Sequence, residues 1–356
     1  MTTTEDFIDT TSVPEVSGGS GGDGTAPGQD SNGRGRWSRR TTIALLVVIG
    51  LLLAIVGSIF VWYLVTHKPI TALPGISQDS TPTYSYSTFG VVQPLGIAVA
   101  SDGSRLYVTQ SDGPRNVAIF DRSGHSLGTL TPPKSTGKVH LPLYDAINPV
   151  TGDVYVSDRV TAAIYVYSAN GKFLRTLGHK GFTGVWAPLG LAFDNSQNLY
   201  VTEALPSTSQ VLVLDPAGQL VRTLKTPSAM SFPNGVAVDP SGDVAVTDSN
   251  NGRAFVFAPD GKVKWTISSG SAPGDLGLPR GATFDSQGHL VIVDTTDQNV
   301  RVYRLKGDGT VTYVGLFGDQ GMGNGLFQYP NGAASDSRAH VYITDRVNNR
   351  VQVWSY

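Results

Sequence analysis

The chain has no cysteine and little net charge, and both absences restrict its chemistry. Without cysteine in 356 residues, disulfide bonds, thiol catalysis, zinc–cysteine sites and iron–sulfur clusters are excluded. A formal net charge of −2 gives no reason to expect a nucleic-acid partner. After residue 82 no stretch keeps the 3.6-residue hydrophobic period of an amphipathic helix. We therefore expect almost no helix in that part of the chain.

The first 82 residues predict a tail, a membrane helix and a short linker. Residues 1–41 are mostly small and polar at their start and have too few apolar groups to offset the entropy of folding, so they predict a disordered tail. Residues 42–66 include 24 consecutive uncharged residues, from Thr42 to Val65. As a helix this run would span roughly 36 Å, more than the roughly 30 Å apolar core of a bilayer. Residues 67–82 are polar and predict a linker.

The charges that flank the apolar run predict its orientation. Four arginines precede it, namely Arg34, Arg36, Arg39 and Arg40. Only His67 and Lys68 follow closely, so the positive-inside rule places the amino terminus in the cytoplasm and the rest of the chain outside the cell membrane. A cleaved signal peptide is the alternative, but the run is too long for a usual signal and lacks a clear cleavage site. We favour a retained, single-pass signal anchor.

Small residues form one ridge on this predicted helix. Gly50, Ala54 and Ser58 recur every four residues, a spacing that lets two membrane helices pack closely. The ridge suggests a weak homodimer, although chance produces the same spacing in a helix rich in small residues.

From residue 83 onward the chain repeats one pattern six times. Each copy starts with a proline, which glycine follows two residues later in five of the six copies, and successive prolines are 45 to 51 residues apart. The starting residues are Pro94, Pro142, Pro188, Pro233, Pro279 and Pro330. The copies contain short apolar runs with strand alternation, separated by turn sequences such as Asp-Pro-Ser-Gly. Four strands in about 40 to 50 residues are typical of a propeller blade, so the sequence predicts an all-β, six-bladed β-propeller over residues 83–356.

The last copy lacks its fourth strand. The chain ends at VQVWSY after three strands, whereas TYSYSTFG, residues 83–90, matches the fourth strand of the other copies. We predict that Tyr84–Phe89 pairs with Arg350–Trp354 and closes the ring. Closure removes the exposed edges that an open array of sheets would present.

The repeat closely resembles the NHL repeat. The resemblance rests on Pro233–Asp239, Val246–Asn251 and Thr344–Val353, and it is strongest in the fourth and sixth copies. It covers residues 83–356, with a departure in the second copy, where Tyr144 stands in the place of glycine. NHL propellers include binding platforms, extracellular sensor domains and relatives that are enzymes, so the resemblance implies a fold and leaves the function open.

Loops between strands two and three of a blade lie on the same face as the blade-to-blade loops. That face collects one acidic or amide residue from the end of each second strand, namely Gln110, Asp158, Glu203, Asp248, Asp294 and Asp345. One interpretation is a ring of carboxylates for cations or for acid–base catalysis. The other is that each side chain binds backbone N–H groups at its own turn. Repetition in nearly every blade favours the second interpretation.

The middle residue of each Pro-x-Gly sequence is expected at the mouth of the central channel, and this residue varies. The six are Leu95, Leu143, Leu189, Asn234, Arg280 and Asn331. A mouth that is half apolar and half polar, with one cation, suits an acidic or amphipathic ligand. The candidate ligand-binding residues are the polar mouth residues Asn234, Arg280 and Asn331, together with His140, His179 and Trp186 from blade-to-blade loops on the same face.

A membrane-tethered, metal-dependent hydrolase or lyase is the alternative function, because gluconolactonase-type enzymes resemble NHL proteins in architecture. That resemblance implies one divalent ion held by carboxylates and asparagines, and Asn234 fits one ligand position. Arg280, however, stands where an acid is implied, and Leu95–Gly96 offers no glutamate. A lyase of the peptide-amidating type would need several histidines around zinc. We therefore predict no catalytic residue, no metal and no cofactor.

The sequence favours a membrane-anchored, extracytoplasmic propeller that binds a protein or a cell-envelope carbohydrate. A sensor that signals through the tail is a third interpretation, although the tail has no obvious docking motif.

Overall fold

The computed structural model describes residues 39–66, 80–134, 139–178, 186–205, 208–270 and 272–356. The predicted tail, residues 1–41, and the predicted linker, residues 67–82, lie almost wholly outside the described residues.

The apolar run near the amino terminus forms one α-helix, α1 (Arg39–Thr66). Its segment Ile43–Val61 has a mean hydropathy of 3.0, and none of that segment is buried. Within the described residues it is the one helix long and apolar enough to cross a membrane. The helix is therefore compatible with a single-pass anchor.

The strands that follow this helix form six separate four-stranded sheets, as the sequence predicts. Neighbouring strands in each sheet are antiparallel. The first strand of the domain is β1 (Thr83–Thr88). Blade one contains β2 (Pro94–Val99), β3 (Arg105–Gln110), β4 (Val117–Asp121) and β5 (Ser126–Leu130). Blade two contains β6 (Pro142–Ile147), β7 (Val154–Asp158), β8 (Ala163–Tyr167) and β9 (Phe173–Leu177). Blade three contains β10 (Pro188–Phe193), β11 (Leu199–Ala204), β12 (Ser209–Leu214) and β13 (Leu220–Leu224).

The second half of the ring repeats this order. Blade four contains β14 (Pro233–Val238), β15 (Val244–Asp248), β16 (Arg253–Phe257) and β17 (Val263–Ile267). Blade five contains β18 (Pro279–Phe284), β19 (Leu290–Asp294), β20 (Asn299–Leu305) and β21 (Val311–Phe317). Blade six contains β22 (Pro330–Ser335), β23 (His340–Asp345) and β24 (Arg350–Ser355), and β1 is its outer strand.

Strand β1 closes the ring, which confirms the predicted pairing of the two ends of the domain. It runs antiparallel to β24, with Tyr84 opposite Trp354 and Thr88 opposite Val351. The rings of Tyr84 and Trp354 meet edge to face at 5.9 Å between centroids. Because the two ends of the propeller domain share one sheet, blade six has its full set of four strands.

Apolar side chains from adjacent blades form six separate core clusters. The alternation of each strand sends successive side chains to opposite faces, so the middle strands of a blade contribute to the clusters on both sides. In blade three, for example, Leu212 packs against blade two, whereas Val211 and Val213 pack against blade four. The core therefore lies between the blades and leaves the axis as a channel.

Each Pro-x-Gly sequence produces the same irregularity at the start of the inner strand. In blade four, Pro233 pairs with Asp248 and Val236 with Val246, so the two residues between them leave the ladder as a bulge. The other five inner strands shift at the equivalent place. A bulge turns a side chain out of the regular alternation, and here it turns the middle residue toward the mouth. Glycine follows because the next blade is close: a Cβ atom on Gly281 would lie 2.5 Å from the carbonyl oxygen of Asn331.

A hydroxyl at one repeated position of the second strand links five of the six blades to the next one. Thr202, for example, accepts a hydrogen bond from the backbone N–H of Gly190 at 2.7 Å and donates to the Asn234 carbonyl of blade four at 2.9 Å. The equivalent residues are Thr109, Ser157, Thr247 and Thr344. Blade five has Val293 at this position, and the hydroxyl of Thr295 donates instead to the Pro330 carbonyl of blade six at 2.7 Å. These bonds fix the backbone of the mouth residues.

Candidate binding site at the channel mouth

The acidic and amide residues that end the second strands are structural. They are almost fully buried, with 3% exposure or less. Asp248 accepts the backbone N–H of Ser231 at 2.6 Å and the Nε–H of Arg253 at 2.7 Å. Asp158 accepts N–H groups of its own turn and also that of Leu141 at 3.1 Å. These side chains thus bind backbone N–H groups, as the second interpretation predicts. The correction is that most of those N–H groups belong to the loop that leads into the blade and not to the turn itself.

The variable residues of the Pro-x-Gly sequences meet in one cavity of about 420 Å³, on the face that carries the blade-to-blade loops. The lining consists of Leu95, Ser111, Arg115, Leu141, Leu143, Tyr144, Leu189, Phe232, Asn234, Arg280, Asn331 and Arg346. The structure therefore brings together Asn234, Arg280 and Asn331, as their positions in the repeat predict. Their binding of a ligand stays a prediction.

Tyr144 forms the floor of this cavity. Its side chain replaces the axial glycine of blade two, and its hydroxyl contacts Oδ1 of Asn234 and lies 2.7 Å from Oδ1 of Asn331. A phenol carries one hydrogen, so it donates to one of these two amide oxygens at a time. Burial raises the pKa of Tyr144, and the nearby charges of Arg280 and Arg346 oppose that rise. The phenol is therefore neutral and closes the mouth.

Three arginines line the mouth, and no carboxylate does. Arg115, Arg280 and Arg346 form no ion pair within the described residues. The Nε atoms of Arg280 and Arg346 are buried and have no hydrogen-bond partner there. Burial lowers the pKa of Arg280, Tyr144 opposes this shift and Arg346 adds to it. An anion in the mouth would offset the cost of burying the Arg280 charge and would reduce its repulsion by Arg346.

Phe232 lies at the edge of the mouth in an unusual backbone conformation. Its φ angle is 58°, which a bulky residue seldom adopts. The guanidinium carbon of Arg280 stands 5.3 Å from the centre of its ring, within cation–π range. The ring of Phe232 therefore contacts the guanidinium of Arg280 from one side.

Of the three other predicted site residues, the two that the structure describes, Trp186 and His140, do not line the mouth. Trp186 is 7% exposed and packs in the core between blades two and three, which corrects its assignment as a surface contact. The indole is largely apolar, and it belongs to the same core cluster as Tyr155 and Leu191. His140 lies 2.8 Å from Asp158 Oδ2 through Nδ1 and 2.8 Å from the Pro133 carbonyl through Nε2, so both ring nitrogens have partners. His179 lies outside the described residues.

Beyond Tyr144 the channel narrows to a void of about 40 Å³. Asp145 borders this void, is 6% exposed, and neither of its carboxyl oxygens has a hydrogen-bond partner within the described residues. Burial raises the pKa of Asp145 well above its ordinary value, although nearby backbone N–H groups, including that of Ala98, oppose the rise. Within the same described ranges, no three acidic or histidine side chains form a group that could hold a metal ion.

Sequence reasoning missed most of the positive charge of the site. Arg115 and Arg346 belong to loops between second and third strands, which the repeat pattern places on the correct face without showing which side chains turn inward. The sequence shows Tyr144 in place of the glycine of the other copies. This large side chain was the one indication in the sequence that the channel is closed below the mouth.

Comparison with known proteins identifies the repeats. The NHL repeat profile matches residues 230–257 and 327–354, which are the fourth and sixth copies. The chain carries NHL repeats. No curated protein sequence matches the chain significantly.

Solved propellers similar to this NHL propeller differ widely in what they do. Virginiamycin B lyase from Staphylococcus aureus aligns with a TM-score of 0.54 and 13% identity over 78% of this chain and 99% of its own. A streptogramin B lyase gives 0.54 and 15% over 79% of this chain and 89% of its own. A propeller in a nidogen–laminin complex gives 0.50 and 19% over 62% of this chain and 78% of its own. At these identities the likeness shows the fold alone.

The metal-dependent hydrolase or lyase stays an alternative hypothesis. Its discriminating measurement is elemental analysis of the purified protein, in which one stoichiometric calcium, zinc or manganese would favour the enzyme.

Proposed function

We propose that this chain is a single-pass membrane protein that presents its NHL propeller outside the cytoplasm and binds a partner protein through the channel mouth. The observation that carries the proposal is the lining of the mouth, where Arg115, Arg280 and Arg346 face leucines and no carboxylate. Such a surface binds a ligand that combines an anionic group with an apolar one.

The anchor and the comparisons support a binding function of this kind. Helix α1 can cross a membrane, and the four arginines before its apolar segment favour a cytoplasmic amino terminus. A ring of six blades supplies a rigid face on which loops can vary. A propeller of similar fold occurs in the nidogen–laminin complex, so the architecture can serve protein binding.

Binding of a small matched probe tests the chemistry of the mouth. We expect 4-methylpentanoate to bind the full-length protein in nanodiscs, because it pairs a carboxylate with an aliphatic group, and the uncharged 4-methylpentanamide to bind far more weakly. Saturation-transfer NMR measures both, with competition between them as the check. The variant Arg280→Gln should weaken the acid about fivefold or more, since it removes a half-buried charge.

The control variant is Arg122→Gln, which removes an exposed arginine from a turn between third and fourth strands. It should leave binding of the acid unchanged. Equal binding of acid and amide, or equal loss in both variants, would contradict an anion site at the mouth. Binding of an envelope glycan that 4-methylpentanoate does not displace would place a carbohydrate, in place of a protein, on another part of the face.

A further inference from the structure

We infer that the mouth receives the free carboxyl terminus of a partner polypeptide whose last side chain is aliphatic. The inference rests on the proposed function and goes further, because it states which part of a partner enters. Four properties of the described residues carry it: a closed floor, an unpaired cationic wall, an apolar wall and a groove that leads away.

The closed floor prevents anything that enters the mouth from passing through the channel. The hydroxyl of Tyr144 joins Asn234 of blade four and Asn331 of blade six across the axis. The void behind it, about 40 Å³, has room for a water molecule and none for a chain. A polypeptide therefore cannot thread the channel, and it can enter the mouth by one of its ends.

The charge of the mouth selects the carboxyl end. An amino terminus would bring an ammonium group toward three arginines, which repel it. A terminal carboxylate instead offers two oxygens to guanidinium groups that have no other acidic partner in the described structure.

The opposite wall selects the last side chain. Leu95, Leu141, Leu143 and Leu189 line the cavity on the side of blades one to three. Leu189 is 3% exposed and the backbone carbonyls of Leu143 and Leu189 are held by Thr109 and Ser157, so this wall is fixed. An aliphatic side chain beside the carboxylate would bury against it, whereas a charged one would lose its hydration.

A second cavity provides the path for the preceding residues. A groove of about 580 Å³ on blades three and four shares Phe232 with the mouth. It offers apolar contacts from Met230 and Leu205 and polar side chains from Ser231 and Asn250 that can bind a peptide backbone. Arg159 lies in its lining and no carboxylate does, so acidic residues upstream of the terminus are compatible with it.

Selection from random heptapeptides with free carboxyl termini tests the inference on the full-length protein in nanodiscs. We expect enriched peptides to end in leucine, isoleucine or valine and to have acidic residues before the end. An enriched peptide is then synthesised with a carboxyl and with an amide terminus. The amide should bind about tenfold more weakly or worse, because it removes the charge that the arginines meet.

The comparison of acid and amide uses the unaltered protein, so misfolding of a variant cannot affect it. Arg346→Gln should weaken the acid peptide about tenfold and have little effect on the amide, and Arg122→Gln should change neither by more than about twofold. No enrichment, or equal affinity of acid and amide peptides, overturns the inference. If 4-methylpentanoate still binds in that case, the anion site stands and only the terminus is wrong; if it does not bind, both proposals fail.

Discussion

The hydroxyl of Tyr144 lies 2.7 Å from Oδ1 of Asn331, so a side chain from blade two is tied to blade six across the channel axis. It also contacts Asn234 of blade four. One phenol thus connects three blades that are not neighbours in the ring, at the position where the other five blades have glycine.

Tyr144→Phe should destabilise the propeller although it removes one oxygen atom. Asn234 is 2% exposed and Asn331 is 7% exposed, so both amides would lose a partner that water cannot easily replace. We expect a loss of about 1–3 kcal/mol in the free energy of unfolding, measured with urea and tryptophan fluorescence. Tyr86→Phe, which removes an exposed bond to the Arg122 carbonyl, is the control and should cost less. Equal losses would show that the contact across the axis contributes no more than an exposed hydrogen bond.

Much of the fold was predictable from the sequence, and most of the site was not. The spacing between Pro188 and Pro233 recurs around the ring, and this spacing predicts the number of blades. Strand alternation and turn residues can be recognised within a short segment, so the sequence also predicts that β1 completes the last blade. Burial of Trp186 depends on how two blades pack, which no local pattern contains. The inward turn of Arg346 likewise depends on loop geometry. Repeats reveal what the blades share, whereas a binding site is built from residues in which they differ.

The hydroxyl link between blades predicts a cost for Thr202→Val. Valine has the same shape and the same preference for strands, so the loss isolates the hydroxyl. The buried N–H of Gly190 and carbonyl of Asn234 would each lose a bond. We expect a loss of about 1–3 kcal/mol in unfolding free energy by urea titration. Thr176→Val, at an exposed position of β9, should be nearly neutral, and a similar loss there would argue against the link.

Asp145 predicts a pH dependence of stability. Because its pKa is raised in the folded protein, the folded state binds a proton more tightly than the unfolded state does. The protonated carboxyl of Asp145 contributes its full stabilisation below the pKa of the unfolded chain, near 3.9. That contribution is lost as the pH rises through the pKa of the folded protein. Asp145→Asn should therefore raise the melting temperature at pH 7 and have little effect near pH 4.

Thermal unfolding of both proteins across this pH range measures the difference between them. The control is Asp112→Asn, which removes the same charge from an exposed turn and should change the pH profile little. A lower melting temperature for Asp145→Asn at pH 7 would mean that the carboxylate is ionised and stabilised by a partner inside the channel.

Ring closure can be locked covalently because the chain has no cysteine of its own. The hydroxyl oxygens of Ser85 on β1 and Ser355 on β24 lie 2.7 Å apart, although 270 residues separate them in sequence. The double variant Ser85→Cys/Ser355→Cys should form a disulfide and raise the unfolding free energy by up to about 5 kcal/mol, because the bond closes a very long loop. A mobility change on non-reducing gels detects it. Ser87→Cys with Ser355→Cys is the mismatched control, since Ser87 pairs with Gln352; equal crosslinking in both would argue against the observed register.

Because the chain has no cysteine, single introduced cysteines can be labelled to test the orientation in the membrane. The arginines before the apolar segment of α1 predict a cytoplasmic amino terminus and an external propeller. Ser123→Cys, at an exposed turn of blade one, should react with an impermeant maleimide on intact cells. Ser20→Cys, in the amino-terminal segment, should react after permeabilisation only. The reverse pattern would place the channel mouth in the cytoplasm, where it would meet a different set of partners; labelling of Ser123→Cys in the medium, on a shortened chain, would show instead that the apolar segment is cleaved.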